Sequence, residues 1–281
     1  MKWLNSVVCG DSLQLIKELP DNSIDLVVTS PPYADIKSYG KQVGIFHPDH
    51  YVDWLLQYNH DIYRVIKSTG SFVLNINDKC VDKQRHIYVY DYVVRTVKET
   101  SLKLYDTYFW VKQSFLPNGN NKRVNNVTEY IFHFVKDPDS VKFYINEVKT
   151  RYNPSSFERA KYEAITYETL ISGIKEARET KKMKLSKDGM RRPSNVLYFQ
   201  TNQVTRDNKH PAPFSVDLPT WFIKALTDKN DIVLDPFIGS GTVAEAALLL
   251  DRNFIGFEIN PMYVNMTMKR IKHILVRNQL F

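Results

Sequence analysis

The chain reads as a doubly wound α/β protein with a mostly parallel central sheet and one inserted region. Three observations carry that expectation. Short apolar runs alternate with helix-period apolar stripes in both the first and the last parts of the chain. The apolar runs stop at acids, glycines or prolines, as buried parallel strands do where they enter loops. The 281 residues, 43% apolar and 25% charged, suffice for one large domain with a modest insertion.

The elements follow in order. Residues 6–9 form a short apolar strand ending at Gly10-Asp11. Residues 12–19 carry helical spacing (Leu13, Ile16, Leu19), with Asp11 or Ser12 as N-cap. Residues 24–29 make a buried-type strand that stops at Ser30-Pro31-Pro32-Tyr33. A helical stripe covers residues 51–67, with Ser68-Thr69-Gly70 as its stop. A strand at 71–76, a helix at 86–100 and strands at 105–112 and 128–135 come next, the last two joined by a polar loop. Residues 137–207 are polar, basic and Tyr-rich and break the alternation, so they are assigned to the inserted region. The rhythm then returns with a helix at 218–226, a strand at 231–234, a helix at 243–250, a strand at 253–258 and a last helix at about 262–276. The division expected is 1–136, 137–207 and 208–281.

Composition excludes several classes. No window approaches the ~18 consecutive apolar residues of a membrane span, and the first residues lack a signal-peptide apolar core. A cytoplasmic, soluble protein with no membrane partner is the expectation. Cys9 and Cys80 cannot make a disulfide framework or a four-cysteine zinc site, and both read as small core or near-core residues. The seven histidines lack ligand spacing, so no metal is expected. The formal net charge is +7, and residues 173–209 hold ten Lys/Arg against four Asp/Glu. Concentrated basicity of this kind points to a nucleic-acid partner.

Two motifs carry chemistry. In Asp235-Pro236-Phe237-Ile238-Gly239-Ser240-Gly241-Thr242, a strand ends in an acid, passes through Gly-x-Gly and enters a helix. The glycines permit a tight turn, and the helix start offers unpaired N–H groups. Glu258 ends the following strand about 20 residues on, where an acid can bind two ribose hydroxyls. Val243-Ala244 stand where a dinucleotide fingerprint has its third glycine region, which argues for an adenosine ligand with a short charged tail rather than a pyrophosphate. In Ser30-Pro31-Pro32-Tyr33, two prolines remove two N–H donors. What remains are acceptors, the Ser30 hydroxyl and nearby carbonyls, beside the flat face of Tyr33. That set suits a bound amino group.

On these residues the chain resembles the S-adenosylmethionine-dependent amino-methyltransferases of DNA bases. Ser30-Pro31-Pro32-Tyr33 is similar to their catalytic motif, 235–242 to their cofactor loop and Gly256-Phe257-Glu258-Ile259-Asn260 to their ribose-binding segment. His210-Pro211-Ala212-Pro213-Phe214-Ser215 resembles the segment leading into the cofactor loop, and Gly10-Asp11 the motif that reaches adenine. The catalytic motif precedes the cofactor loop, the permuted order of the beta group. The resemblance implies a Rossmann-like methyltransferase fold with a target-recognition region inserted at 137–207. It implies catalytic roles for Ser30, Pro31, Pro32 and Tyr33. It implies cofactor contacts from Asp11, Phe214, Ser215, Asp235, Pro236, Phe237, Gly239, Ser240, Gly241, Thr242, Glu258 and Asn260. Within the basic stretch, Lys181, Lys182, Lys184, Lys187, Arg191 and Arg192 are candidates for phosphate contacts, and Asn195, Gln200 and Asn202 join the arginines as candidates for base readout.

Ser30 at the head of the tetrapeptide resembles the N4-cytosine enzymes, whereas the N6-adenine enzymes more often carry an acid or Asn there. The implied reaction is direct methyl transfer to a flipped-out base, with no cysteine adduct. Duplex DNA is the partner, and a cognate restriction endonuclease on the same site would complete a restriction–modification pair. The rivals are an N6-adenine enzyme and a DNA-binding module of the same fold without activity.

Overall fold

The computed structural model describes residues 1–33, 47–113, 122–153, 156, 185–200 and 215–278. They form two compact units, Met1–Tyr144 with Asn195–Phe281, and Ile145–Ser194.

The first unit is built on one eight-stranded sheet. Its strands are β1 (Ser6–Cys9), β2 (Ile24–Thr29), β3 (Ile66–Ile76), β4 (Lys103–Lys112), β5 (Thr128–Val135), β6 (Val196–Phe199), β7 (Ile232–Asp235) and β8 (Asn253–Glu258). In space they run β1-β8-β7-β2-β3-β5-β4-β6. All neighbours pair in parallel except those of β5, which runs against both β3 and β4. The helices are α1 (Ser12–Leu15), α2 (Pro48–Leu56), α3 (Asn59–Val65), α4 (Tyr88–Glu99), α5 (Asp217–Leu226), α6 (Thr242–Leu249) and α7 (Pro261–Asn278). The expected doubly wound α/β class is thus the observed one. None of the helices among the described residues is long and apolar enough to cross a membrane.

Burial explains why the central strands lack alternation. Every residue of β2 is buried, and so are residues 70–76 of β3. Helices cover both faces, so both side-chain rows must be apolar. Phe72 and Phe134 stack across β3 and β5 with ring centres 5.7 Å apart.

Three expectations change. The helix expected at 51–67 is two helices, α2 and α3, and β3 begins at Ile66, five residues earlier than the pattern placed it. Gly70 is therefore within a strand, not a helix stop. A Cβ there would lie 2.9 Å from the Asp25 carbonyl, so glycine serves close backbone approach. Second, β6 falls inside 137–207 yet is a strand of the main sheet, paired with β4 from Val196↔Phe109 to Phe199↔Lys112. Residues 137–144 also stay with this unit, where the Tyr144 N–H reaches the Ala225 carbonyl at 2.7 Å. Third, Cys9 and Cys80 are both exposed. Cys9 is the last residue of the edge strand β1, and Cys80 sits on a two-residue hairpin strand.

The second unit contains a 3-10 turn, Ile145–Val148, and a short antiparallel strand pair of Thr150–Arg151 with Met190–Arg191. The ion pair Lys149–Asp188, 3.2 Å, links the segments that precede the two strands.

Candidate active site

Parallel strands deliver their carboxyl ends to one edge of the sheet, and the motif residues gather there. β2 ends at Thr29, with Ser30 next; β7 ends at Asp235 and β8 at Glu258. β2 and β7 are neighbours although about 200 residues separate them, so the chain changes direction of winding between them. A crevice at such a switch point is where open α/β sheets bind ligands.

Among the described residues, a hydrogen bond from Thr29 joins the two motifs. The Thr29 hydroxyl donates to Asp235 Oδ1 at 2.6 Å, which also accepts the Phe237 N–H at 3.0 Å. Asp235 is 1% exposed. Burial pushes its carboxyl up to about 7, against the lowering effect of those two donors.

Glu258 is held by backbone alone. Its Oε2 accepts the Gly239 N–H at 3.0 Å and its Oε1 the Asn260 N–H at 2.8 Å. Burial raises its carboxyl above the usual range. Each oxygen keeps a further lone pair for a hydroxyl donor.

The glycine loop is clamped from behind by α7. The Thr267 hydroxyl donates to the Gly239 carbonyl at 2.8 Å. Arg270 donates to the Ser240 carbonyl at 2.9 Å and to the Thr242 hydroxyl at 2.9 Å, and pairs with Glu245 at 2.9 Å. Arg270 also donates to the Ser240 hydroxyl at 3.2 Å, so Ser240 and Thr242 both spend side-chain oxygens on the scaffold. Gly241 caps α6 in the left-handed region, φ +83. A Cβ there would lie 2.5 Å from Thr267 Cγ2, which excludes larger residues.

The other cofactor candidates are spread along the same edge. Asp11 is exposed and caps α1 through Leu13 N–H, 3.0 Å. Asn260 caps α7 by accepting the Met262 N–H at 2.9 Å. Ser215 is buried and bonds Asp217 at 3.1 Å. Pro236 is buried, and Phe237 packs its ring on Tyr58 at 4.9 Å and Trp54 at 5.6 Å. Phe214 lies outside the described residues, as does His210.

On the far side of β2, the Ser30 hydroxyl donates to the Tyr33 hydroxyl at 3.2 Å. Tyr33 donates in turn to Glu129 Oε2 at 2.6 Å, with Asn75 Oδ1 as a second acceptor at 3.2 Å. Lys112 forms an ion pair with Glu129 Oε1. The Asn75 amide is oriented by donating to the Tyr130 carbonyl at 3.2 Å. With its proton given to Tyr33, Ser30 keeps its lone pairs for an incoming N–H. Pro31 is buried and Pro32 half-buried beside it.

Asn75, Lys112, Glu129, Thr267 and Arg270 were not singled out in the sequence. Glu129 left one trace, an acid inside the apolar strand Thr128–Val135. The lysine and arginine left none, since each is an ordinary surface residue by pattern. Of the phosphate candidates, Lys187, Arg191 and Arg192 are exposed on the second unit, while Lys181, Lys182 and Lys184 lie outside the described residues. Asn195 uses its amide on the Thr107 carbonyl, 3.1 Å, and so supports the sheet. Gln200 is exposed, and Asn202 is outside the described residues.

A parallel sheet whose switch point gathers an acid pair, a glycine loop and an acceptor cluster defines a Rossmann-like methyltransferase. A profile of the DNA methylase family matches residues 24–269. Type II methyltransferase M.PvuII of Proteus hauseri is 30% identical over 92% of this chain and 81% of its own length. DNA adenine methyltransferase YhdJ of Escherichia coli (strain K12) is 27% identical over 95% of this chain and 82% of its own. The solved structure of PvuII DNA methyltransferase (cytosine-N4-specific) superposes with a TM-score of 0.71 at 26% identity, covering 97% of this chain and 91% of that one. The chain belongs to the DNA methylase family of amino-methyltransferases.

Proposed function

We propose that this protein is a cytoplasmic, site-specific DNA methyltransferase that transfers a methyl group from S-adenosylmethionine to the exocyclic N4 of cytosine. The observation that carries the reading is the Thr29–Asp235 bond, which sets the acceptor cluster of Ser30 beside the acid-lined glycine loop. The donor set fits the cofactor. Asp11, Asp235 and Glu258 would repel a pyrophosphate, whereas S-adenosylmethionine offers hydroxyls, amines and a sulfonium cation to acceptors. When bound, the cofactor supplies an electrophilic methyl group.

The residues have separate tasks. Glu258 takes the two ribose hydroxyls on its remaining lone pairs, and Asp11 takes the adenine amine. Asp235 fixes the position of the loop, with Gly239 and Gly241 allowing close approach. Pro236, Phe237, Ser215, Phe214 and Asn260 shape the same pocket, and Ser240 and Thr242 contribute through the main chain. The target amine is a poor nucleophile because its lone pair is delocalised into the ring. The Ser30 hydroxyl and the Pro31 carbonyl accept its two N–H bonds and draw the nitrogen toward sp³ geometry. Pro32 keeps that segment extended, and Tyr33 gives the flipped base a stacking face worth about 1–3 kcal/mol. Flipping itself costs a few kcal/mol. Acceptors placed where charge develops are worth roughly 3 kcal/mol each.

The choice of N4-cytosine rests on Ser30 and on the likeness to a structure described as cytosine-N4-specific. N6-adenine is the second reading, since a relative described as a DNA adenine methyltransferase is nearly as similar. We assign target recognition to the region centred on the second unit, with Lys187, Arg191 and Arg192 on phosphates and Lys181, Lys182 and Lys184 beside them in sequence. A cognate restriction endonuclease is the expected genetic partner. Incubation with labelled S-adenosylmethionine and mixed genomic DNA, followed by separation of the nucleosides, decides. Label in N4-methylcytosine supports the reading; label in N6-methyladenine replaces it with the second; Ser30→Ala should abolish transfer while sparing cofactor binding.

A further inference from the structure

The reaction leaves a proton to dispose of, and the site holds a path for it. The first carboxylate reached from Ser30 along hydrogen bonds among the described residues is Glu129, through Tyr33. Asn75 also touches the Tyr33 hydroxyl, but an amide cannot take a proton. Asp235 bonds Thr29 instead of Ser30. Glu129 is 4% exposed, so its tie to Tyr33 is shielded from water. A half-buried tyrosine whose hydroxyl accepts from a serine and donates to a buried carboxylate is more than a stacking face.

We propose that Ser30, Tyr33 and Glu129 form a hydroxyl relay in which Glu129 is the terminal proton acceptor. This rests on the methyl-transfer reading above. As the exocyclic nitrogen forms its bond to the methyl carbon, the carbon–sulfur bond breaks and its electron pair stays on sulfur. The nitrogen then carries a positive charge and a surplus proton. That proton passes to Ser30 Oγ, the Ser30 proton to Tyr33 Oη and the Tyr33 proton to Glu129 Oε2. The amine ends neutral, Glu129 ends as the neutral acid, and the proton returns along the same hydroxyls to solvent once the methylated base has left. Before transfer the same chain polarises the site. A hydroxyl accepts better when its own proton is drawn toward a further acceptor, so a carboxylate at the end strengthens Ser30 as acceptor for the amine. Lys112 holds the other Glu129 oxygen and keeps Oε2 turned to Tyr33.

Glu129 touches no substrate and acts through Tyr33, so its test must separate relay from support. Single-turnover transfer from labelled S-adenosylmethionine to mixed unmethylated genomic DNA is measured with enzyme in excess. Glu129→Gln keeps an acceptor for Tyr33 but cannot take a proton. We expect its rate to fall by about 100-fold, the usual scale of acid–base assistance. S-adenosylmethionine affinity by calorimetry should stay within about threefold, and Glu129→Asp should recover part of the rate. In Tyr33→Phe/Glu129→Gln the losses should not multiply, because either change alone cuts the relay. A loss under tenfold in Glu129→Gln, or a rate loss matched by the loss of cofactor affinity, overturns the relay. Should Glu129→Gln not fold, Tyr33→Phe decides by the same thresholds. A wild-type protein that labels no DNA overturns the methyl-transfer reading itself, whereas an active wild type with an unimpaired Glu129→Gln overturns only the relay.

Discussion

The two halves of the carboxyl edge are held by different means. On the β7–β8 side, two buried acids are satisfied largely by backbone N–H groups of their own loops, and α7 clamps the glycine turn from behind. On the β2–β5 side, side chains hold side chains: Ser30, Tyr33, Asn75, Lys112 and Glu129 come from four separate segments. The first half is a rigid cradle whose shape depends on glycine conformation. The second is a polar network whose state depends on where protons sit. A cofactor shared by many reactions needs the former, and a particular chemical step needs the latter.

The sharpest way to break the cradle is Gly241→Ala. The left-handed backbone costs about 1–2 kcal/mol for a residue with a Cβ, and the clash with Thr267 adds about 1–3 kcal/mol of overpacking. Thr267 cannot yield cheaply, because its hydroxyl is committed to the Gly239 carbonyl. Thermal or urea unfolding should show a loss of about 2–5 kcal/mol, and cofactor affinity should fall at least tenfold, while the Ser30–Tyr33 network stays intact. A variant as stable as the wild type would show that the turn tolerates a Cβ.

Thr29→Val tests the seam between the halves. It removes the 2.6 Å bond to Asp235 and leaves that buried carboxyl with one donor. An orphaned buried acceptor costs about 1–3 kcal/mol. Because the bond aligns the halves, the transfer rate should fall more than cofactor affinity; the reverse order would show that Thr29 serves the cradle alone.

The smallest net effect concerns pH, because two buried groups pull stability in opposite directions. Asp235 titrates near 7 in the fold, well above a free carboxyl, so the native state binds its proton more tightly than the unfolded chain. Its contribution is fully present below about pH 4 and is lost as pH rises through 7, with a ceiling of about 4 kcal/mol. His133 acts oppositely. Burial lowers it to about 3, so stability falls as the pH drops below about 6.5 and the unfolded chain takes up the proton first. The two slopes offset each other between roughly pH 4 and 6.5. Asp235→Asn keeps both hydrogen bonds and removes one slope, so its melting temperature should rise with pH across that window more steeply than the wild type's. Equal slopes would show that Asp235 titrates normally.

The sequence by itself determined the class of fold, the strand-end acids and the two contiguous motifs. Those signals are local: a buried parallel strand must be apolar on both faces, and a tight turn at a strand end must use glycine or proline. The early start of β3 at Ile66 and the strand β6 are not legible for the same reason, since short apolar runs do not announce their partner. Tertiary structure alone decided which half of the chain Asp235 would meet, that Arg270 and Thr267 would clamp the loop, and that Glu129 would stand behind Tyr33. Tyr33 and Glu129 lie 96 positions apart in sequence, Thr29 and Asp235 206 apart. Hydrogen bonds between side chains carry no periodic imprint in a single sequence. They are set by strand order and register, which bring distant residues within 3 Å only after the sheet has closed.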